Sequence, residues 1–160
     1  MAVRKLYIDE FDTIDYELIA IHTSLEDYRL AYFINQKLPI LLSKSNQFIE
    51  FKTLNGLAHF SKFSYTVEDL EEEWTLIENK DELTSNSHKV SVNLFSEREN
   101  QITTNVFFLP ELKKVNYFLK IENSQLKPFE IVTQLNKITQ ISTAYLIDVE
   151  NLKSKNNLIF

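Results

Sequence analysis

The sequence predicts an α+β fold, a largely antiparallel sheet of about eight strands with two main helices packed on it. Three observations carry this prediction. Short segments rich in β-branched and aromatic residues follow one another along the chain, divided by polar turns too short for crossover helices. Only two stretches, near 24–37 and 128–138, space apolar residues at helical intervals. Twelve Phe, seven Tyr and one Trp in 160 residues supply large side chains for a core shared between sheet and helices.

The elements follow in order. Residues 3–8 alternate as a first strand, and 16–23 form the next. The unbroken apolar run Leu18, Ile19, Ala20, Ile21 marks that second strand as central, buried on both faces. Ser24 and Asp27 have the spacing of a capping box, so a helix is expected to start there and to run to about Lys37, because Pro39 disfavours helical geometry at Leu38. Residues 40–43 and 47–52 read as a hairpin around Lys44, Ser45 and Asn46, and 60–66 as a further strand. An acidic run from Glu68 to Glu73 precedes a strand at 74–78. The polar stretches 79–87 and 97–100 read as loops flanking a strand at 89–95. A strand at 105–109 is expected to stop at Pro110, which lacks the ladder N–H. Another strand follows at 115–122. Pro128 suits the first position of the second helix, with Ser124 or Gln125 as capping candidates, and 141–149 closes the sheet. No linker or repeat divides the chain, so 1–160 reads as one domain, with 151–160 a loosely ordered tail unless Leu158, Ile159 and Phe160 dock.

Composition excludes more than it assigns. With Gly56 the only glycine, no phosphate-binding glycine loop or dinucleotide fingerprint can be written. The absence of Cys removes thiol chemistry, thiolate metal sites and disulfides. His22, His59 and His88 are far apart in sequence, and His22, in an apolar strand, reads as a hydrogen-bonded structural residue. No cofactor, metal or catalytic residue is therefore expected. The net charge of -6 argues against a DNA-binding role, and without a signal-like or membrane-length apolar run the chain reads as acidic, cytoplasmic and free of membrane partners.

Residues 109–117, Leu-Pro-Glu-Leu-Lys-Lys-Val-Asn-Tyr, resemble the signature of the IPExxxVDY family, small uncharacterised proteins of Bacteroidota. Leu109 stands for the initial Ile and Asn116 for Asp. Residues 22–32, His-Thr-Ser-Leu-Glu-Asp-Tyr-Arg-Leu-Ala-Tyr, resemble the N-terminal half of such proteins. The resemblance implies a bacterial origin and no particular reaction; it also brings gene neighbourhoods that include ribonuclease III and pyruvate kinase.

Read physically, Pro110 ends a strand, Glu111 bonds backbone donors in the turn, and Val115 and Tyr117 share one strand face. Glu26, Asp27, Tyr28 and Arg29 sit at a helix start, where acids compensate the positive helix end. The functional alternative places Glu111, Tyr117 and Arg29 in a shared recognition groove. The candidate partner-binding residues are thus Glu26, Asp27, Tyr28, Arg29, Pro110, Glu111, Asn116 and Tyr117. The expected function is a non-enzymatic protein–protein interaction module or accessory subunit. A homodimer through an unpaired strand is one form of it. The alternative is an RNA-associated accessory factor, drawing on Lys113, Lys114, Lys120, Lys127 and Lys137 and on the aromatic residues. A carboxylate hydrolase would need two facing acids, one with a raised pKa.

Overall fold

A computed structural model describes residues 14–86 and 101–160. The strands expected at 3–8 and 89–95, the loop at 97–100 and His88 lie outside these residues. In chain order the elements are β1 (Tyr16–Thr23), α1 (Asp27–Lys37), β2 (Ser43–Lys44), β3 (Ile49–Thr53), β4 (Gly56–Phe60), β5 (Lys62–Val67), β6 (Glu72–Glu78), β7 (Lys80–Asn86), β8 (Gln101–Phe107), β9 (Tyr117–Glu122), α2 (Pro128–Asn136) and β10 (Ile141–Leu146). Six strands form one sheet in the order β10-β1-β9-β6-β5-β2, while β3-β4 and β7-β8 are separate two-stranded ribbons. Every described pairing is antiparallel. The α+β class expected from the sequence is the class observed.

The sheet separates two cores, and the two-residue period of a strand explains why. Along β1, Ile19 and Ile21 face the helices, whereas Leu18 and Ala20 face the ribbons, and all four are fully buried. Burying each of the larger three favours folding by about 1.5–3 kcal/mol. The helix-side core joins Leu30, Ala31 and Ile34 of α1 and Ile131 and Leu135 of α2 to Trp74, Leu76, Leu119 and Ile121. On the ribbon side, Phe60 and Phe108 meet edge to face with ring centroids 5.5 Å apart, beside Phe118, Ile77 and Leu158.

Several local expectations are corrected. Residue 54–55 forms the turn of the β3–β4 ribbon, with Thr53 opposite Gly56, so the segment at 47–52 pairs forward and β2 instead joins β5. Gly56 has φ +135, a conformation that side chains strongly disfavour. Residues 80–86, read as a loop, form β7 and pair with β8 from Lys80–Phe107 onward, because the polar composition of an outer ribbon hides its strand character. The first helix has Glu26, not Ser24, at its N-cap position, and Thr23 Oγ1 takes the Leu25 N–H instead. Likewise Lys127 precedes Pro128 at the second N-cap, and Ser124 bonds Leu126. The tail is docked: Leu158 is fully buried, and the Phe160 ring lies 6.3 Å from that of Phe108.

Two charged residues are buried. Glu72 is buried and accepts the Trp74 indole N–H at 2.6 Å. Lys120 is buried on the ribbon side, 3.1 Å from Glu122 and over the rings of Tyr16 and Phe160. It is thus removed from any basic surface.

Candidate functional site

The strand ends Thr23, Glu78 and Tyr117 come together at one end of the main sheet, where the 109–116 turn crosses from the β7–β8 ribbon to β9. Asn79 builds this region. Its side chain is fully buried, donates through Nδ2 to the carbonyls of Leu112 (2.9 Å) and Val115 (2.8 Å), and accepts the Leu109 N–H at 2.9 Å. Its own backbone adds bonds with Asn116 O and Phe108 N–H. One amide side chain therefore replaces water for three backbone groups that a turn would otherwise leave unsatisfied.

Asn116 then ties the turn to β1: its N–H reaches Ile21 O at 3.2 Å, and its Oδ1 accepts the Thr23 N–H at 2.9 Å. An Asp at this position would offer the same acceptor. Tyr117 is buried and donates its hydroxyl to Leu25 O at 2.8 Å, which fixes the approach to α1. Burial, reinforced by Glu78, Asp27 and Glu26, pushes its phenol well up, so it remains neutral and a donor. Val115 packs on the ribbon side and Tyr117 on the helix side, so the two do not share a face.

A cleft lies on each side of the turn. The first, about 240 Å³, is lined by Thr23, Leu25, Glu78, Lys80, Asn116 and Tyr117, with Phe107 and Lys113 at its border. Burial pushes the half-buried Glu78 carboxyl up, and Asp27 and Asp81 add to this against the opposing effect of Lys44 and Lys80. The second, about 400 Å³, is lined by His22, Tyr145, Pro110, Leu112, Lys113 and Lys114, together with Glu111 and Val115. His22 Nε2 and the Tyr145 hydroxyl are 3.0 Å apart, and their rings stack at 5.6 Å.

Glu111 takes a donor of its own turn, the Glu111 backbone N–H, as expected, but its main partners lie further away. It reaches the tail, where its two carboxylate oxygens accept the Ser154 N–H at 2.9 Å and Oγ–H at 2.6 Å. Desolvation pushes the Glu111 carboxyl up, but the hydrogen bonds from Ser154, joined by the backbone N–H groups of Glu111 and Lys153, outweigh it and hold the carboxyl below the ordinary range. Asp27 is also engaged, accepting the Tyr28 N–H and the Ser61 hydroxyl, with Lys44 Nζ at 3.6 Å. Tyr28 and Arg29 point to solvent from α1, and a hydrogen bond to Glu26, then its charge, raises the exposed Tyr28 phenol.

The candidate residues therefore divide. Asn116 and Tyr117 line one cleft, Pro110 and Glu111 the other, and Arg29 lines neither, so the groove shared by Glu111, Tyr117 and Arg29 is not formed. Sequence reasoning missed Asn79, Glu78 and Tyr145; the first two follow directly on the apolar β6 run, the one signal that could have placed them at a strand end.

Among the described residues no group of three or more His, Asp or Glu side chains is placed to hold a metal ion. No described helix is long and apolar enough to cross a membrane. Comparison with protein-family models, with curated proteins and with solved structures finds no match to this chain.

Proposed function

We propose that the chain is a cytoplasmic, non-enzymatic protein–protein interaction module, and that the cleft beside the 109–116 turn receives an acidic segment of its partner. One observation carries the reading: Lys113 and Lys114 line the same cleft as the stacked His22–Tyr145 pair, with the Lys113 ammonium over the Phe107 ring of the smaller cleft, while the only carboxylate in the lining, Glu111, is consumed by Ser154. A protein of net charge -6 thus presents a small basic and aromatic cleft, complementary to carboxylates and to apolar side chains between them. The Asn79 and Asn116 bonds hold the cleft walls before any partner arrives, which limits the ordering cost of binding.

The test is an array of acidic peptides, with and without aromatic residues, bound to the parent chain and to the double variant Lys113→Glu, Lys114→Glu. Binding that weakens at least tenfold in the variant and falls with salt is expected. Parent binding that the variant leaves unchanged, or no binding of any acidic peptide at low salt, overturns the reading. Preferential capture of single-stranded RNA would favour the RNA-associated alternative, although Lys120 is buried and Lys127 and Lys137 flank α2 rather than joining Lys113 and Lys114.

A second reading, acid–base chemistry at Glu78, draws on its raised pKa in the smaller cleft. Hydrolysis of a model ester or glycoside that Glu78→Gln abolishes would support it, and equal background rates for the two proteins would remove it.

A further inference from the structure

An open sheet has two edges, and each presents backbone N–H and C=O groups to which another strand can pair. Among the described residues the main sheet ends at β10 on one side and at β2 on the other. In an antiparallel pair, alternate residues turn both backbone groups toward the neighbouring strand, and those between turn them outward. Ala144 of β10 is an outward residue, and both of its groups are taken by one side chain: Asn136 Nδ2 donates to Ala144 O at 2.9 Å, and Asn136 Oδ1 accepts the Ala144 N–H at 2.9 Å. The same amide nitrogen also donates to Val132 O, which fixes its orientation from within α2.

The opposite edge repeats the arrangement with a different helix. Ser45 N–H already reaches Lys62 O of β5, so alternation turns Ser43 toward β5 and Leu42 away from it. Asn35 of α1 donates through Nδ2 to Leu42 O at 3.0 Å and accepts the Leu42 N–H at 2.8 Å. A primary amide carries its donor and its acceptor on separate atoms of one planar group, as a peptide does, so each Asn reproduces a single rung of a β-ladder and then stops it.

We propose that Asn35 and Asn136 are edge guards, which close the two edges that the described strands give the main sheet against pairing with a second copy of this chain. Position makes the guard effective. Pairing requires successive outward residues about 6.8 Å apart, and Asn136 takes Ala144, near the middle of the six-residue β10. On one side of Ala144 the register breaks, with Thr23 opposite Ile141 and His22 opposite Thr143, so Ser142 is bulged out of the ladder; on the other side only Leu146 is left before Ile147 turns inward to Leu18 O. At the second edge, β2 is two residues long and carries Lys44, so once Leu42 is taken no run of rungs remains on it. This inference is independent of the peptide-binding reading, since neither asparagine nor the residue it bonds lines a cleft.

The test is molar mass by light scattering across a concentration series. The parent chain is expected to stay monomeric. Asn136→Ala and Asn35→Ala, with circular dichroism spectra matching the parent, are expected to shift toward twice that mass as concentration rises. Asn136→Asp loses the same donor but leaves a charge on the edge, so it is expected to stay monomeric, which separates an opened edge from mere destabilisation. Alanine variants that fold and remain monomeric, or a parent that dimerises through β10, overturn the proposal. Should the alanine variants not fold, amide exchange in the parent decides: Ala144 and Leu42 exchanging as slowly as the inward Ile147 and Ser45 amides is expected, and exchange at unprotected rates overturns it.

Discussion

Replacing Asn79 with alanine removes three side-chain hydrogen bonds at once and leaves the Asn79 backbone bonds in place. Their loss is unequal. Leu112 O still accepts the Val115 N–H at 3.1 Å, so it keeps one partner, whereas the Leu109 N–H and the Val115 carbonyl lose the bonds that Asn79 supplied. A buried polar group left unsatisfied costs roughly 1–3 kcal/mol, so two such groups plus a weakened third come to about 3–5 kcal/mol. That is a large share of the ~5–15 kcal/mol that holds a typical domain folded. Equilibrium urea denaturation gives the difference directly, with Asn116→Ala as an internal comparison: it removes the one side-chain bond to Thr23 N–H, near an exposed residue, and is expected to cost about 1 kcal/mol. Asn79→Asp keeps the acceptor for Leu109 N–H but sets a carboxylate against two carbonyls, so it is expected to be no more stable than Asn79→Ala. An Asn79→Ala cost below about 1 kcal/mol would refute the view that this side chain organises the turn.

Three further perturbations test other contacts. Glu111 has a lowered pKa, so its contribution is present above the ordinary glutamate range and lost as pH falls through its folded value; Glu111→Gln is expected to lower the thermal midpoint at pH 7, with the gap to the parent closing in acid, and to speed proteolysis within 151–160. Glu78 has the opposite sign: its contribution is present below the ordinary range and lost as pH rises through its raised folded value. Glu78→Gln is therefore expected to raise the midpoint at pH 7 and to match the parent in acid, and a lower midpoint at pH 7 would contradict the burial argument. Tyr117→Phe removes the bond to Leu25 O and is expected to cost about 1 kcal/mol by denaturation, with faster amide exchange across 24–26.

Where the physics is local, the sequence was readable. Four consecutive apolar residues at 18–21 can only be satisfied by burial on both faces, Pro39 limits α1, and Pro128 opens α2, each as observed. Pairing partners are not local. The Asn55–Gly56 dipeptide marks the actual hairpin turn, yet the polar run at Lys44, Ser45 and Asn46 competes with it, and only the contact of Ile49 and Phe60 with the ribbon-side core decides between them. The site was half legible. Both motif-bearing segments meet at one sheet end, but Glu111 bonds a serine 43 positions away and Asn79 bonds a turn 30 to 36 positions away, which no spacing rule reports. Asparagine in a polar stretch reads as a turn former, and its use as a buried or edge-closing amide depends on what the fold brings to it.

The placement of β1 has a consequence in time. Its neighbours are β9 and β10, with Ile19 opposite Leu119 and Leu146, so its pairing partners leave the ribosome roughly 100 residues later, or about 5–20 s at ordinary elongation rates. Throughout that interval a strand with four consecutive, fully buried apolar residues has been made and its ladder has not. The nascent chain thus carries a sticky segment that waits through roughly 100 further residues of synthesis, which makes acquisition of this fold dependent on the emergence of β9 and β10 and on whatever shields residues 18–21 until then.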